Sequence, residues 1–233
     1  MKNITRRDFI KTMAVGGAAL GVGNLVSCNV AKGPGEKLTS EIKPVVSVVK
    51  IKNDNVDYAV RNAIDLLGGI RKVTTGKERI MLKPNLVSPE PRDVTKRDVI
   101  KVLAQMMKEA EKDVSIGEGS AAAGPNFRPG IFGRVCRTRD IEALNSIQHM
   151  VFERHGYPEL AKSTKIPLVN LHTGAMSKVS IPDGFVFKEI SLQHSLTEID
   201  MLCSVPMMKT HGLAGVTLGM KNLIGVYPGE VYG

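Results

Sequence analysis

From residue 44 onward, the chain alternates short β-branched apolar runs with longer amphipathic stretches. The short runs predict strands over residues 44–51, 79–83, 113–116, 167–171 and 199–206. Apolar residues at helical spacing predict helices around residues 60–67, 99–110 and 141–154. Strands and helices in alternation are typical of an α/β fold, which we expect to have a mainly parallel sheet with flanking helices.

Local signals add boundaries to this outline. Thr95, with Asp98 three residues later, is similar to a capping box and predicts the start of the second helix. Gly68-Gly69 predicts the end of the first helix. A last helix is expected from near Val216, and it would carry Lys221.

A small β-hairpin is predicted where Pro182-Asp183-Gly184 separates two short apolar runs, residues 178–181 and 185–187. The chain then ends at Gly233, shortly after its last predicted strand, and no closing element follows. We therefore expect the α/β domain to be incomplete at its C-terminal side.

Residues 5–11 read Thr-Arg-Arg-Asp-Phe-Ile-Lys and resemble the twin-arginine export signal, with Arg6 and Arg7 as the defining pair. The apolar stretch over residues 13–26 is shorter than the about 20 residues that span a bilayer as a helix, as expected of a signal core. The resemblance implies the twin-arginine translocase as a partner. That translocase exports folded proteins, which suits a protein loaded with a cofactor before export.

The signal ends in Leu25-Val26-Ser27-Cys28, which resembles a bacterial lipobox. This implies a lipidated Cys28 and an exported protein held on the membrane, facing the periplasm or the cell surface. A plain cleavage site with a coincidental cysteine is the alternative. The organisation predicted is a signal over residues 1–27, a tether over residues 28–42 and the α/β domain over residues 43–233.

Charge narrows the class of partner. The formal net charge is +9, of which the signal contributes +3, and the basic residues are scattered without a run of five. Aromatic residues make up 4% of the chain, so nucleic-acid binding by base stacking is not expected. A moderately basic surface favours an anionic small molecule or anionic lipid.

The cysteines assign no cofactor. There is no Cys-x-x-Cys, and hence no recognisable iron–sulfur ligand set in this chain. If Cys28 is lipidated, Cys136 and Cys203 remain for a disulfide in an oxidising compartment. Cys203 lies in an apolar run, where a buried, inert thiol is the commoner case. The cofactor is therefore unassigned, and a metal and an iron–sulfur partner protein are both open alternatives.

Loops that follow the predicted strands carry the candidate chemistry. Lys83 and Asn85 flank a proline at one strand end, where they could hold an anion or simply cap the strand. Gly117, Glu118 and Gly119 follow the next strand, and glycines there allow a backbone approach to phosphate. The spacing is not Gly-x-Gly-x-x-Gly, so a dinucleotide site is the weaker alternative. Glu118 is interpreted as a catalytic base, a metal ligand or a solvated carboxylate.

Lys209 and His211 follow the last strand, and Lys221 and Asn222 lie about ten residues beyond them. Ligands of α/β folds bind beyond the carboxyl ends of the strands. We therefore predict one shared site in which Glu118, Lys209, His211 and Lys221 are catalytic. Lys83, Asn85, Gly117, Gly119 and Asn222 are predicted to bind the ligand. Solvated surface lysines are the alternative.

Four blocks in this order are similar to signature blocks of the domain-of-unknown-function 362 family. They are residues 81–87, residues 116–118, Asp200 with residues 205–211, and residues 217–225. The resemblance covers residues 45–233 and implies that the C-terminal part of the family's domain is missing. Some relatives carry or adjoin ferredoxin-like iron–sulfur modules, so it also implies an iron–sulfur association. The family's biochemical activity is not established.

Two classes of function fit these features. One is an exported, cofactor- or metal-linked enzyme or redox-associated protein that binds an anionic ligand. Its lysines and histidine would then serve as general acids and bases. The other is a non-catalytic, lipid-anchored protein that uses the same basic loops to bind a ligand or partner. Folded export favours the first class, and the absence of cysteine ligands favours the second.

Overall fold

The computed structural model describes residues 44–120, 139–212 and 214–233. The chain divides into two units, Met1–Val46 and Ser47–Gly233, and every helix and strand of the described residues lies in the second. The helices are α1 (Val56–Asp65), α2 (Ile70–Val73), α3 (Arg97–Glu109), α4 (Ile141–Arg154), α5 (Tyr157–Thr164), α6 (Ser195–Glu198), α7 (Gly219–Asn222) and α8 (Gly229–Tyr232). The strands are β1 (Arg79–Pro84), β2 (Asp113–Glu118), β3 (Leu168–Asn170), β4 (Met176–Ser180), β5 (Glu189–Gln193), β6 (Met201–Val205), β7 (Lys209–His211) and β8 (Gly215–Thr217).

A four-stranded parallel sheet in the order β3-β2-β1-β6 forms the centre of the second unit. In its register, Leu82 of β1 lies between Ile116 of β2 and Cys203 of β6. Because all four strands run in the same direction, their carboxyl ends meet at one edge of the sheet. This confirms the predicted α/β fold with a mainly parallel sheet and flanking helices.

The hydrophobic core joins the sheet to three helices. Ile80 and Ile116 of the sheet share one buried cluster with Leu103 of α3, Val151 of α4 and Leu160 of α5. Each such side chain contributes about 1.5–3 kcal/mol when it is fully buried. The apolar stripe predicted for α3 therefore faces the core, and this packing fixes the strand ends that carry polar residues.

Two small antiparallel hairpins accompany the sheet, β4 with β5 and β7 with β8. The prediction of a hairpin around Pro182-Asp183-Gly184 is confirmed, but its second strand is wrong. That strand is Glu189–Gln193, and residues 185–187 form the connection instead. Alternation of apolar residues thus failed where the residues lie at an exposed hairpin tip, since no neighbouring strand is there to pair with them.

The strand predicted over residues 44–51 is also wrong, because residues 44–52 form no strand. Val48 is 88% exposed, and the sheet of the described residues has β3 and β6 at its two edges. A β-branched run without a partner strand gains neither ladder hydrogen bonds nor packing, so its propensity alone does not form a strand.

Two helix starts differ from prediction. The N-cap of α3 is Lys96, not Thr95. The Thr95 hydroxyl instead accepts a hydrogen bond from the Asn85 amide at 2.9 Å and donates one to the Val205 carbonyl at 2.6 Å. Val216 lies in β8, so the helix that carries Lys221 begins only at Gly219. Tertiary hydrogen bonds outweighed the local signal in both places.

Candidate functional site

Lys83 and Glu118 form a buried ion pair at the carboxyl edge of the sheet. Lys83 is the penultimate residue of β1, and Glu118 is the last residue of the neighbouring β2. The Lys83 Nζ lies 2.5 Å from the Glu118 Oε1, and the two side chains are 1% and 3% exposed. Dehydrating two ions costs several kcal/mol each, so such a pair requires further hydrogen bonds to persist.

Backbone amides supply part of that compensation to Glu118. Its Oε2 accepts a hydrogen bond from the Leu86 amide at 2.9 Å, and its Oε1 accepts one from the Gly119 amide at 2.8 Å. The carboxylate therefore has a cation and two N–H donors around it. Both carboxylate oxygens are therefore hydrogen-bonded, and charge-assisted hydrogen bonds are about twice as strong as neutral ones.

Asn222 completes the surroundings of Lys83. Its Oδ1 lies 3.4 Å from the Lys83 Nζ, and its Nδ2 donates to the Lys83 carbonyl at 3.1 Å and to the Ser204 hydroxyl at 3.0 Å. Asn222 is 2% exposed. One amide thus connects β1 and β6 with the short helix α7, and the Lys83 ammonium also donates to the Pro84 carbonyl at 3.2 Å.

The 3₁₀ turn Leu223–Val226 closes over the pair. A Cβ on Gly225 would lie 2.5 Å from the Glu118 Oε1 and 2.8 Å from the Lys83 Nζ. A Cβ on Gly119 would lie 2.6 Å from the Gly225 carbonyl oxygen. Glycine is therefore required at both positions for the turn to approach this closely, and the turn leaves the ion pair almost no contact with water.

Gly117 and Asn85, which were also predicted to bind the ligand, are both buried. Gly117 lies beside Met81, and a side chain at Gly117 would overlap the Met81 thioether. Asn85 is 7% exposed, and its Oδ1 has no hydrogen-bond partner among the described residues. The loop predicted to bind phosphate continues into residues 121–125, which lie outside the described residues.

His172, which sequence reasoning missed, is a buried connection beside this site. It is 7% exposed. Its Nε2 donates to the Ser120 carbonyl at 2.8 Å, and its Nδ1 accepts from the Gly229 amide at 3.1 Å, so a single neutral tautomer satisfies both bonds. Burial lowers the pKa of His172, against the opposing effects of the Ser120 carbonyl and Glu118. A signal was available, since His172 directly follows the predicted strand over residues 167–171.

Lys209, His211 and Lys221 form a second, more exposed group that we call the basic hairpin. Lys209 and His211 lie on β7, and Lys221 lies on α7. The pKa of His211 is lowered, first by partial loss of solvent and then by the positive charges of Lys221 and Lys209. The Nδ1 of His211 accepts a hydrogen bond from the Ala214 amide at 3.2 Å.

The predicted single site therefore has two parts. Hydrogen bonds join Lys83, Glu118 and Asn222 in the buried part, while the charges of Lys221 and Lys209 act on His211 in the basic hairpin. The helix α7 links the parts, because Lys221 and Asn222 are consecutive. Convergence of all the predicted residues on one ligand stays a prediction.

Three further features concern cofactors and membranes. No group of three metal-ligating side chains occurs within residues 44–120, 139–212 and 214–233. Helices within those ranges are too short or too polar to cross a membrane. Cys203 is a free thiol, and burial raises its pKa to about 11, as expected of an inert thiol.

Arg6, Arg7, Cys28 and Cys136 lie outside the described residues.

Removing one partner of the buried ion pair should be far more costly than removing both. We expect Lys83→Met or Glu118→Gln alone to lower the free energy of unfolding by about 3–5 kcal/mol, because one charge stays buried and unpaired. The double variant should be more stable than either single variant, because no unpaired charge is then buried. Urea denaturation of all four proteins measures this.

The matched control is the surface pair Lys178–Glu189, at 3.0 Å with side chains 75% and 53% exposed. Lys178→Met and Glu189→Gln should each cost about 0–1 kcal/mol. Equal losses of unfolding free energy at the two pairs would contradict the claim that the buried pair contributes more to stability than the surface pair.

Stability should fall as the pH drops below about 6.5, the ordinary pKa of histidine, because the unfolded chain then binds a proton that native His172 resists. His172→Gln cannot titrate, so its unfolding free energy should depend less on pH in this range. His149→Gln, at a side chain that is 74% exposed, is the control. Superimposable pH profiles for His172→Gln and the parent protein would show that His172 does not contribute.

The chain is similar to one known protein over most of its length. The thylakoid-associated protein sll1697 of Synechocystis sp. is 26% identical over 176 residues, which cover 74% of this chain and 46% of that relative. The chain thus spans less than half of the relative's length. No solved structure matches the chain.

Two segments match known sequence families. Residues 3–23 match the twin-arginine translocation pathway signal sequence, so the chain carries this export signal, as Arg6 and Arg7 predicted. Residues 80–232 match the domain of unknown function (DUF362), and this match extends over more than half of the chain. It contains the buried ion pair, His172 and the basic hairpin. The chain is therefore an exported member of the DUF362 family.

Proposed function

We propose that this exported protein binds an anionic ligand at the basic hairpin of Lys209, His211 and Lys221. The observation that carries the proposal is the placement of these three residues on β7 and α7, close enough that the charges of Lys221 and Lys209 add to the effect of burial in lowering the pKa of His211. Positive charges that disfavour one another favour a bound anion, because the anion relieves their repulsion. A phosphate or carboxylate group is the ligand chemistry that ammonium groups recognise.

The buried ion pair supports this proposal indirectly. Glu118 already neutralises the Lys83 ammonium, so Lys83 is not an anion-binding group in this arrangement. Its part is to position α7 through Asn222. Because Lys221 precedes Asn222 on α7, the buried network holds in place the backbone that carries one of the three cations.

Within this proposal we favour an enzyme. A His211 with a lowered pKa is largely neutral near neutral pH, so its imidazole can take up a proton from a ligand held by the two lysines. Export in the folded state also suits a cofactor-linked enzyme. The cofactor, whether a metal or an iron–sulfur partner, is unassigned.

A non-catalytic binding protein is the second candidate, since charge at the basic hairpin serves binding as well as catalysis. Native mass spectrometry with elemental analysis of the exported protein separates the two classes. A bound metal or cofactor supports the enzyme. Repeated preparations with the mass of the polypeptide and its acyl chains alone support the binding protein.

Phosphate should raise the pKa of His211, because a bound anion offsets the charges of Lys209 and Lys221. Histidine NMR signals followed against pH, with and without saturating phosphate, measure this, and His211→Gln assigns the resonance. Lys221→Gln should raise the pKa of His211 without phosphate and reduce the response to it. Lys178→Gln, at an exposed lysine of β4, should change neither. An unchanged His211 titration in phosphate would contradict anion binding at this hairpin.

We also propose that Cys28 is lipidated and anchors the exported protein to the membrane. The motif Leu25-Val26-Ser27-Cys28 supports this, and the name of the Synechocystis relative describes that protein as thylakoid-associated. Residues 28–42 would then act as the tether.

An alkyne fatty acid fed to cells should label the parent protein and Cys136→Ala but not Cys28→Ala. Labelling depends on a thiol that forms the thioether, so only Cys28 should matter. Loss of label in Cys136→Ala, or label that persists in Cys28→Ala, would contradict the lipobox interpretation.

A further inference from the structure

The tip of the β4–β5 hairpin exposes three consecutive apolar side chains. Phe185 is 103% exposed, Val186 71% and Phe187 54%. The chain contains six phenylalanines, and two of them stand in this one tripeptide, which we call the apolar tip. Large apolar side chains grouped on a surface mark sites of contact with a partner.

Hydrogen bonds hold the base of the apolar tip in a defined conformation. The Ile181 amide donates to the Lys188 carbonyl at 2.7 Å, and the Gly184 amide donates to the Ile181 carbonyl at 2.9 Å. The Lys188 Nζ donates to the Pro182 carbonyl at 3.2 Å. A side chain at Gly184 would overlap the Phe187 carbonyl, so the turn requires glycine there. The tip is therefore presented on a fixed turn.

Charges around the apolar tip cancel. Lys178 and Glu189 pair at 3.0 Å at the base of the hairpin. Asp183 and Lys188, one acidic and one basic, are the charged residues of the connection itself. A partner selected by this surface is therefore apolar and not a highly charged one.

The size of the apolar tip argues against a protein partner at this surface alone. Because Phe187 is only 54% exposed, the three side chains present about 500 Å² at most, given about 150–250 Å² for each fully exposed aromatic residue. Stable protein interfaces, including those of dimers, bury at least about 600 Å² on each partner, which is about 1,200 Å² in total. A convex apolar protrusion on a neutral turn instead fits the interfacial region of a bilayer, where insertion depth and not a matching groove determines the contact.

We propose that residues 185–187 insert into the interfacial region of a lipid bilayer. The occupant of this surface is the uncharged acyl boundary of the membrane that faces the exported protein. This contact is independent of the basic hairpin and of lipidation at Cys28. It gives the protein a second, reversible point of attachment, and it sets the β4–β5 hairpin against the membrane.

A single tryptophan tests this directly, because the natural chain contains none. Phe187→Trp places a reporter in the apolar tip. Tyr58→Trp is the matched control on α1, at a side chain that is 62% exposed. Both are made in the full chain carrying Cys28→Ala, so that no acyl chain contributes, and each is mixed with phosphatidylcholine vesicles that contain brominated acyl chains.

The emission of Phe187→Trp should shift to the blue and be quenched by the brominated lipid, whereas that of Tyr58→Trp should not change. The effect should persist in about 1 M salt, where charge attraction is screened within about 3 Å. Phe185→Ser, added to Phe187→Trp, should weaken vesicle partitioning by about tenfold or more.

Three results would overturn the proposal. Emission from position 187 that stays at the wavelength of water-exposed tryptophan with vesicles excludes insertion. A blue shift that grows with protein concentration without vesicles shows that a second copy covers the tip. Binding that requires anionic phosphatidylglycerol and disappears in high salt shows that lysines, not the apolar tip, hold the vesicle.

Discussion

The burial of a lysine–glutamate pair at the carboxyl edge of a parallel sheet is the constraint on which the rest of this site depends. Lys83 and Glu118 are brought together because β1 and β2 are neighbours that run in the same direction. Neither ion can be left without its partner at this depth. The amides of Leu86 and Gly119 and the side chain of Asn222 are therefore parts of one arrangement.

That arrangement accounts for residues that would otherwise look unrelated. Gly225 permits the turn after α7 to lie against the pair. Gly119 has no side chain that would collide with the Gly225 carbonyl of the same turn. His172 holds Gly229 from the neighbouring strand end, so α8 is attached to the same edge of the sheet. The buried charges thus organise the backbone at this edge of the sheet, and the basic hairpin lies beside them on β7 and α7.

Periodicity predicted the parallel sheet, since the runs that became β1, β2, β3 and β6 each have a partner strand and a buried face. It failed at residues 44–51 and 185–187, where the same kind of run has no partner. Position after a strand end led to the prediction that Lys83 and Glu118 belong to one site. It could not show that they neutralise each other, because their contact depends on strand order, and the sequence does not state that β1 lies beside β2.

Other parts of the site depended on contacts across long stretches of chain. Thr95 looked like a helix cap, yet its hydroxyl bonds Val205, which is 110 residues away. Asn222 was interpreted as a ligand-binding residue, yet its amide groups are occupied by Lys83 and Ser204. Polar side chains of this type can form hydrogen bonds with several local and distant partners, and the tertiary packing determines which of these bonds form.

Native-state hydrogen exchange at the Leu86 and Gly119 amides tests the central claim most directly, because both donate to the Glu118 carboxylate. The amide of the core residue Ile116, which donates to the Pro167 carbonyl, is the reference. If the sealed ion pair is a permanent part of the fold, all three amides exchange only by global unfolding, with the same free energy of opening. Exchange of Leu86 and Gly119 through a local opening, at a much lower free energy than Ile116, would contradict the account.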